Sequence, residues 1–202
     1  MTSPTLVHVP VYGPRSALIV VDLQNDFADP AGTLAVAGAD QVVPVVNREV
    51  QRAQAAGALV VYTQDWHPPS TPHFAKDGGK WPVHCVRGTW GAELVPTMAV
   101  VGPVVRKGVA GEDGYSGFTV RDPHSGAEAE TELAELLHGR GVEKVTVVGL
   151  ATDYCVKETA LDALRLGFVT AVLAEGTRAV DVVPGDGARA LEELGLAGVE
   201  VS

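Results

Sequence analysis

Cysteine is scarce in this chain: its 202 residues include only Cys85 and Cys155. Two thiols cannot form a disulfide framework, and a chain of this length builds its core without one, so both are expected to be reduced. Long apolar runs are missing too. None approaches the roughly 18 residues of a membrane span, and Met1–Arg15 lacks the basic start and apolar stretch of a secretory leader. Basic charge is in deficit, with 15 Lys and Arg against 25 Asp and Glu, a formal net charge of −10. That balance argues against non-specific binding to nucleic acid or to acidic membranes. Gly and Pro, at 23 and 13 residues, are too few for a low-complexity or collagen-like chain. Three motifs are also absent: a Gly-x-Gly-x-x-Gly turn between strand and helix, a phosphate-binding P-loop, and a Gly-x-Ser-x-Gly elbow. The expectation is a soluble cytoplasmic protein folded as a single domain over 1–202.

What is present is a series of short Val-rich runs: Ala17–Val21, Ala58–Thr63, Val100–Val105, Lys144–Gly149, Phe168–Ala174 and a short Val199–Ser202. Runs of this length read as buried strands. Between them, apolar residues recur at helical spacing over Asp40–Ala56, Glu128–His138, Cys155–Leu166 and Asp186–Leu194, with Gly57 and Gly167 as stop signals. Alternating strands and helices predict an α/β fold, a three-layer α-β-α arrangement around a mostly parallel sheet of about six strands. Such sheets bind ligands at the carboxyl ends of their strands. Asp22, Asp65, Lys107 and Cys155 all fall at or just past those ends. Two long stretches have no periodicity, Gln64–Thr97 and Lys107–Ala127, and loops of that length are usually functional or disordered.

The first of these loops concentrates metal-ligand chemistry. Asp65 and His67 lie two residues apart, on one side of an extended chain, and His73 and His84 follow. Imidazole and carboxylate suit zinc, iron or manganese, although three hydrogen-bonded loop histidines would read the same way. Cys155 opens a predicted helix, where unpaired N–H groups and the helix dipole lower a thiol pKa and can hold an oxyanion. A buried, inert thiol is the alternative. Asp22 is placed to accept a thiol proton or to cap a turn, and Lys107 is either a partner for both or an ordinary exposed lysine. Cys85 reads as structural.

Four blocks together resemble the isochorismatase-like cysteine hydrolases, and within them the nicotinamidases, also called pyrazinamidases. They are Val21-Asp22-Leu23-Gln24-Asn25-Asp26-Phe27; Asp65-Trp66-His67-Pro68 with Trp81-Pro82-Val83-His84-Cys85-Val86; Lys107-Gly108 with Tyr115-Ser116-Gly117-Phe118; and Gly149-Leu150-Ala151-Thr152-Asp153-Tyr154-Cys155-Val156. The resemblance runs from about Ser16 to the C-terminus. It implies Cys155 as nucleophile, Asp22 as general acid/base and Lys107 as third member of the triad. It further implies one divalent metal ion per subunit (zinc, iron or manganese) on Asp65, His67, His73 and His84. A cis Leu150–Ala151 peptide would turn the Ala151 N–H to form an oxyanion hole with the N–H of Cys155. Phe27, Trp81 and Tyr115 would enclose a pyridine ring. The implied reaction is hydrolysis of nicotinamide to nicotinate and ammonia. The alternatives are a related amidase for N-carbamoyl or maleamate-like compounds, or a non-catalytic metabolite-binding relative. The implied partner is a small molecule, with no nucleic acid or membrane, and the sequence allows a homo-oligomer.

Overall fold

The computed structural model describes residues 10–202, so most of the leader expectation for Met1–Arg15 lies outside the described residues. In chain order the elements are β1 (Ser16–Val21), α1 (Asn25–Ala28), α2 (Val42–Ala55), β2 (Leu59–Asp65), β3 (Val104–Lys107), β4 (Thr119–Arg121), β5 (Glu128–Glu130), α3 (Leu133–Gly139), β6 (Lys144–Leu150), α4 (Lys157–Arg165), β7 (Val169–Arg178), α5 (Asp186–Ala197) and β8 (Glu200–Val201). Six strands form one sheet in the order β3-β2-β1-β6-β7-β8, and every neighbouring pair in it is parallel.

The side-chain alternation of β1 shows why these runs become strands. Ala17, Ile19 and Val21 enter one core while Leu18 and Val20 enter the other. A strand buried on both faces needs an unbroken apolar run, which Ser16–Val21 supplies. One core is closed by α2 through Val42, Val46, Val50 and Ala53. The opposite core is closed by Leu133 and Leu137 of α3, Ala160 and Ala163 of α4, and Leu194 of α5. The expected three layers are thus present. No helix among the described residues is long and apolar enough to cross a membrane.

Three expected elements shift. The run Val100–Val105 becomes a strand only at Val104–Lys107. Pro103 lacks the N–H that a ladder needs, and its carbonyl instead accepts from Tyr62. The helix expected over Glu128–His138 is split: exposed Glu128–Glu130 pairs antiparallel with β4, and the helix begins at Leu133, where the apolar face begins. The helix expected from Cys155 is preceded by one wide π turn, Thr152–Val156, that runs straight into α4. Cys155 is therefore inside a helical turn and not its first residue.

The strand order positions the site. The chain moves outward from β1 to β3, then returns to β6 on the other side of β1. Strand order reverses between β1 and β6, and the crevice beyond their carboxyl ends is where such sheets bind ligands.

Candidate active site

Strand register brings the first cluster together. Asp65 and Lys107 are partners across β2 and β3, and Val21, just before Asp22, pairs with Gly149 near the end of β6. Gly149 has φ +113°, and a Cβ there would lie 2.1 Å from the Val21 carbonyl oxygen, so only glycine lets β6 come this close. Lys107, 2% exposed, reaches across the strand ends. Its ammonium lies 2.9 Å from Asp22 Oδ2, is hydrogen-bonded to Asp65 Oδ1, and is 3.7 Å from Cys155 Sγ. Asp22 has φ +46°, a left-handed conformation that aspartate tolerates better than most residues. Thr63 clamps it: the Thr63 hydroxyl donates to Asp22 Oδ1 at 2.6 Å and accepts from the Asp22 N–H at 3.2 Å. Asp22 Oδ2 is buried with no aligned hydrogen-bond donor.

The charges in this cluster are unequal, with one ammonium against two carboxylates. Burial raises the Asp22 carboxyl above its ordinary range, and Lys107 opposes that only in part. Burial would raise Asp65 too, but Lys107, with His67 and His84, holds it well below the usual carboxylate range. Burial alone would discharge Lys107, yet Asp22 and Asp65 drive its pKa well above normal. Cys155 departs from expectation. Its thiol is pushed well up by burial, and Asp22 and Asp65 add to this while Lys107 opposes it. Burial, joined by the two carboxylates, thus favours the thiol over the thiolate expected at a helix start.

The second cluster comes from the irregular loop. His67, His73 and His84 are all buried, and each offers a ring nitrogen within 4.8 Å of the others. Asp65 Oδ2 is 3.8 Å from His67 Nε2 and 3.9 Å from His84 Nε2. Two of the rings are oriented by their outer nitrogens. His84 Nδ1 is 2.8 Å from the Pro82 carbonyl, and His73 Nδ1 is 2.7 Å from Asp113 Oδ1. Both contacts leave Nε2 facing inward. Neither ring nitrogen of His67 has a hydrogen-bond partner, although the ring is 2% exposed. Such an orphaned buried imidazole, aimed at two others and a carboxylate, is the donor set of a divalent metal. Burial also holds His84 down to about 4, which keeps its ring neutral and able to ligate. Gly108 keeps this space open, because a Cβ there would lie 2.6 Å from the His67 ring.

Both clusters border one cavity, the first through Cys155 and the second through Asp65, His73 and His84. Phe27, Trp81 and Tyr115, the expected ring-binding residues, line it together with Asp65, His73, His84, Ala151 and Cys155. Trp81 Nε1 donates to the Tyr115 hydroxyl at 3.1 Å. The Leu150–Ala151 peptide is cis.

Several contributors were missed in the sequence. Tyr154 completes the aromatic wall, with its ring 5.0 Å from Trp81 and 5.1 Å from Tyr115. Phe74, fully buried, packs its ring 5.4 to 6.0 Å from all three histidines. Leu34, Val36 and Val180 close the apolar side. Asp113 orients His73 from a different loop. Gln24 and Asp26 act as struts: Gln24 exchanges hydrogen bonds with the Asp65 backbone, and Asp26 accepts from the Cys85 N–H at 2.7 Å. Both sit inside the quoted block Val21–Phe27, so a signal existed for them. Asp113 and Phe74 had none beyond their nearness to quoted residues.

Known proteins resemble this chain in sequence and fold. The isochorismatase domain model matches residues 16–202. A nicotinamidase of Escherichia coli is 38% identical, over 92% of this chain and 93% of its own length. A pyrazinamidase of Pyrococcus horikoshii, solved in complex with zinc, superposes with a TM-score of 0.83 at 40% identity, covering 94% of this chain and 99% of that one. The L. infantum protein PnC1, solved in complex with nicotinate, superposes with a TM-score of 0.86 at 36% identity, covering 96% of each chain. By sequence over nearly its whole length and by fold, the chain belongs to the isochorismatase family.

Proposed function

We propose that this chain is an amidohydrolase that converts nicotinamide to nicotinate and ammonia through a thioester on Cys155. The observation that carries the proposal is one cavity bordered by two chemistries: Cys155, whose sulfur meets the buried Lys107–Asp22 pair, and His73, His84 and Asp65, with the buried His67 beside them. The relatives named nicotinamidase, and the neighbours solved with zinc and with nicotinate, support it. Asp65, His67, His73 and His84 would hold a zinc, iron or manganese ion, which when bound supplies a Lewis-acid anchor for the pyridine nitrogen.

The chain's own groups account for the covalent steps. Phe27, Trp81, Tyr115 and Tyr154 enclose the ring and hold the carboxamide carbon beside Cys155 Sγ. Asp22 Oδ2, the buried oxygen without an aligned donor, takes the thiol proton as sulfur bonds to the carboxamide carbon. The raised pKa of Asp22 suits this, since a stronger base accepts the proton more readily. The N–H groups of Ala151 and Cys155 stabilise the oxyanion. Asp22 passes its proton to the amide nitrogen, the C–N bond breaks, and ammonia leaves a thioester. Water then attacks, giving its proton to Asp22, and the C–S bond breaks to release nicotinate and restore the thiol. Lys107 stays charged throughout and offsets the negative charge of Asp22, Asp65 and the transient thiolate.

The test is formation of nicotinate and ammonia from nicotinamide by purified, metal-loaded protein. Turnover that disappears in Cys155→Ala while metal content is kept supports the scheme. Metal-loaded protein that leaves nicotinamide intact would refute the assigned substrate.

A further inference from the structure

The aromatic wall also carries a cation. Lys80 is exposed, yet its ammonium is seated on that wall. Nζ lies 4.7 Å from the Trp81 ring centre, 4.8 Å from that of Tyr154 and 5.6 Å from that of Tyr115. These are the same three rings that line the cavity. A cation is attracted to the negative face of an aromatic ring, and here three rings share one cation. The backbone on either side of Lys80 is pinned: the Gly79 N–H donates to the Phe74 carbonyl at 2.9 Å, and the Ala75 N–H to the Trp81 carbonyl at 2.7 Å. The ammonium therefore reaches the rings from a fixed Cα. Among the described residues Lys80 has no carboxylate partner, so its charge is not locally cancelled. Of the chain's carboxylates, Asp65 lines the cavity, and it is ion-paired with the buried ammonium of Lys107, which also meets Asp22. Lys80 is thus an added positive charge on the ring side of the pocket.

We propose that Lys80 is a specificity-determining residue. Acting through the aromatic wall, its charge favours an anionic pyridine ligand, including the carboxylate product, and disfavours a cationic one, with little effect on neutral rings. The inference rests on the reading of this cavity as a site for a pyridine carboxamide. It predicts that the product carboxylate competes with the neutral substrate more strongly than it would without Lys80.

Calorimetric titration of metal-loaded protein tests this with three pyridines substituted at the same position: nicotinate (anionic), 3-acetylpyridine (neutral) and 3-(aminomethyl)pyridine (cationic). Lys80→Met keeps the apolar stem, Lys80→Glu reverses the charge and Lys80→Arg keeps it. The Kd of nicotinate is expected to rise several-fold in Lys80→Met and on the order of tenfold in Lys80→Glu, as for a unit charge acting over a partly screened path. The cation moves the opposite way, 3-acetylpyridine stays put, and Lys80→Arg behaves as the unsubstituted protein. The inhibition constant of nicotinate follows its Kd, while KM for nicotinamide does not move. A common shift of all three ligands reduces Lys80 to a packing residue, and no shift of any means that its charge is not felt. Either result overturns the proposal. If none of the three binds the unsubstituted protein, the pyridine-site reading falls and takes this inference with it, which is visible before any variant is compared.

Discussion

The two sides of the cavity are built by different means. Asp22, Lys107 and Asp65 stand on or next to the ends of parallel strands, and Cys155 follows the end of β6 by one turn, so their spacing is inherited from sheet register. His67, His73 and His84 stand on an irregular segment, and each oriented ring there depends on one side-chain contact: His84 Nδ1 to the Pro82 carbonyl and His73 Nδ1 to Asp113. The register-built side is redundant, since many ladder bonds fix the same geometry. On the loop side, each orienting contact has no substitute. Changes on the first side should therefore act through charge and chemistry, and changes on the second through geometry and metal affinity.

The largest expected effect is on the register-built side. Cys155→Ala should lower turnover on the order of 10^4-fold or more, since no other group can form the acyl intermediate. Metal content, measured on the same preparation, should be unchanged. Lys107→Met should destabilise the fold by about 3–5 kcal/mol in denaturant titration, because it leaves Asp22 and Asp65 buried without their shared cation. An equal loss from an exposed-lysine control would contradict that assignment.

On the loop side, His67→Ala should lose bound metal and raise KM, with both followed together by metal analysis and steady-state kinetics. Unchanged metal and KM would remove His67 from the ligand set. Asp113→Asn should keep the fold but weaken metal binding about 10- to 100-fold, the usual cost of losing a carboxylate that orients a ligating histidine. A competition assay with a chelator reads this directly, and an unaltered affinity would make the Asp113 contact incidental.

The smallest effect concerns pH and stability in the metal-free protein. His84 falls from the unfolded value of about 6.5 to about 4 in the fold, because burial disfavours its charged form. The unfolded chain therefore binds the proton more tightly. Stability should be intact above pH about 6.5, decline as pH falls toward about 4, and level off below. His84→Gln should flatten that window, and an identical slope in both proteins would place the titrating group elsewhere.

The same contrast explains what could be read in advance. The six strands and the residues at their ends were visible because a strand buried on both faces must be a continuous apolar run, and a polar residue that breaks it marks the end. Asp22 and Lys107 stand out for that reason. Glu128–Glu130 was misread as helix because charged residues carry no period on an exposed two-stranded ribbon, and only pairing with β4 makes it a strand. Asp113 escaped notice, and Tyr154, though inside a quoted block, was given no role, because what matters about them is a neighbour far off in sequence: Asp113 meets His73 across 40 positions, and Tyr154 meets Trp81 from the turn after β6.

Sequence by itself determined the alternation of strands and helices, the residues at the strand ends and, through four linked blocks, the family. Those follow from local composition and order. The tertiary structure decided the protonation of the site. Asp22 is raised, Asp65 lowered and Cys155 held as a thiol because burial removes water and brings two carboxylates to one ammonium. It also decided which nitrogen of each oriented histidine faces the cavity, and it set the Lys80 ammonium against the aromatic wall. A sequence carries the identity of each charge, but the energy of a charge depends on its distances and on the water excluded around it, and those exist only once the chain has folded.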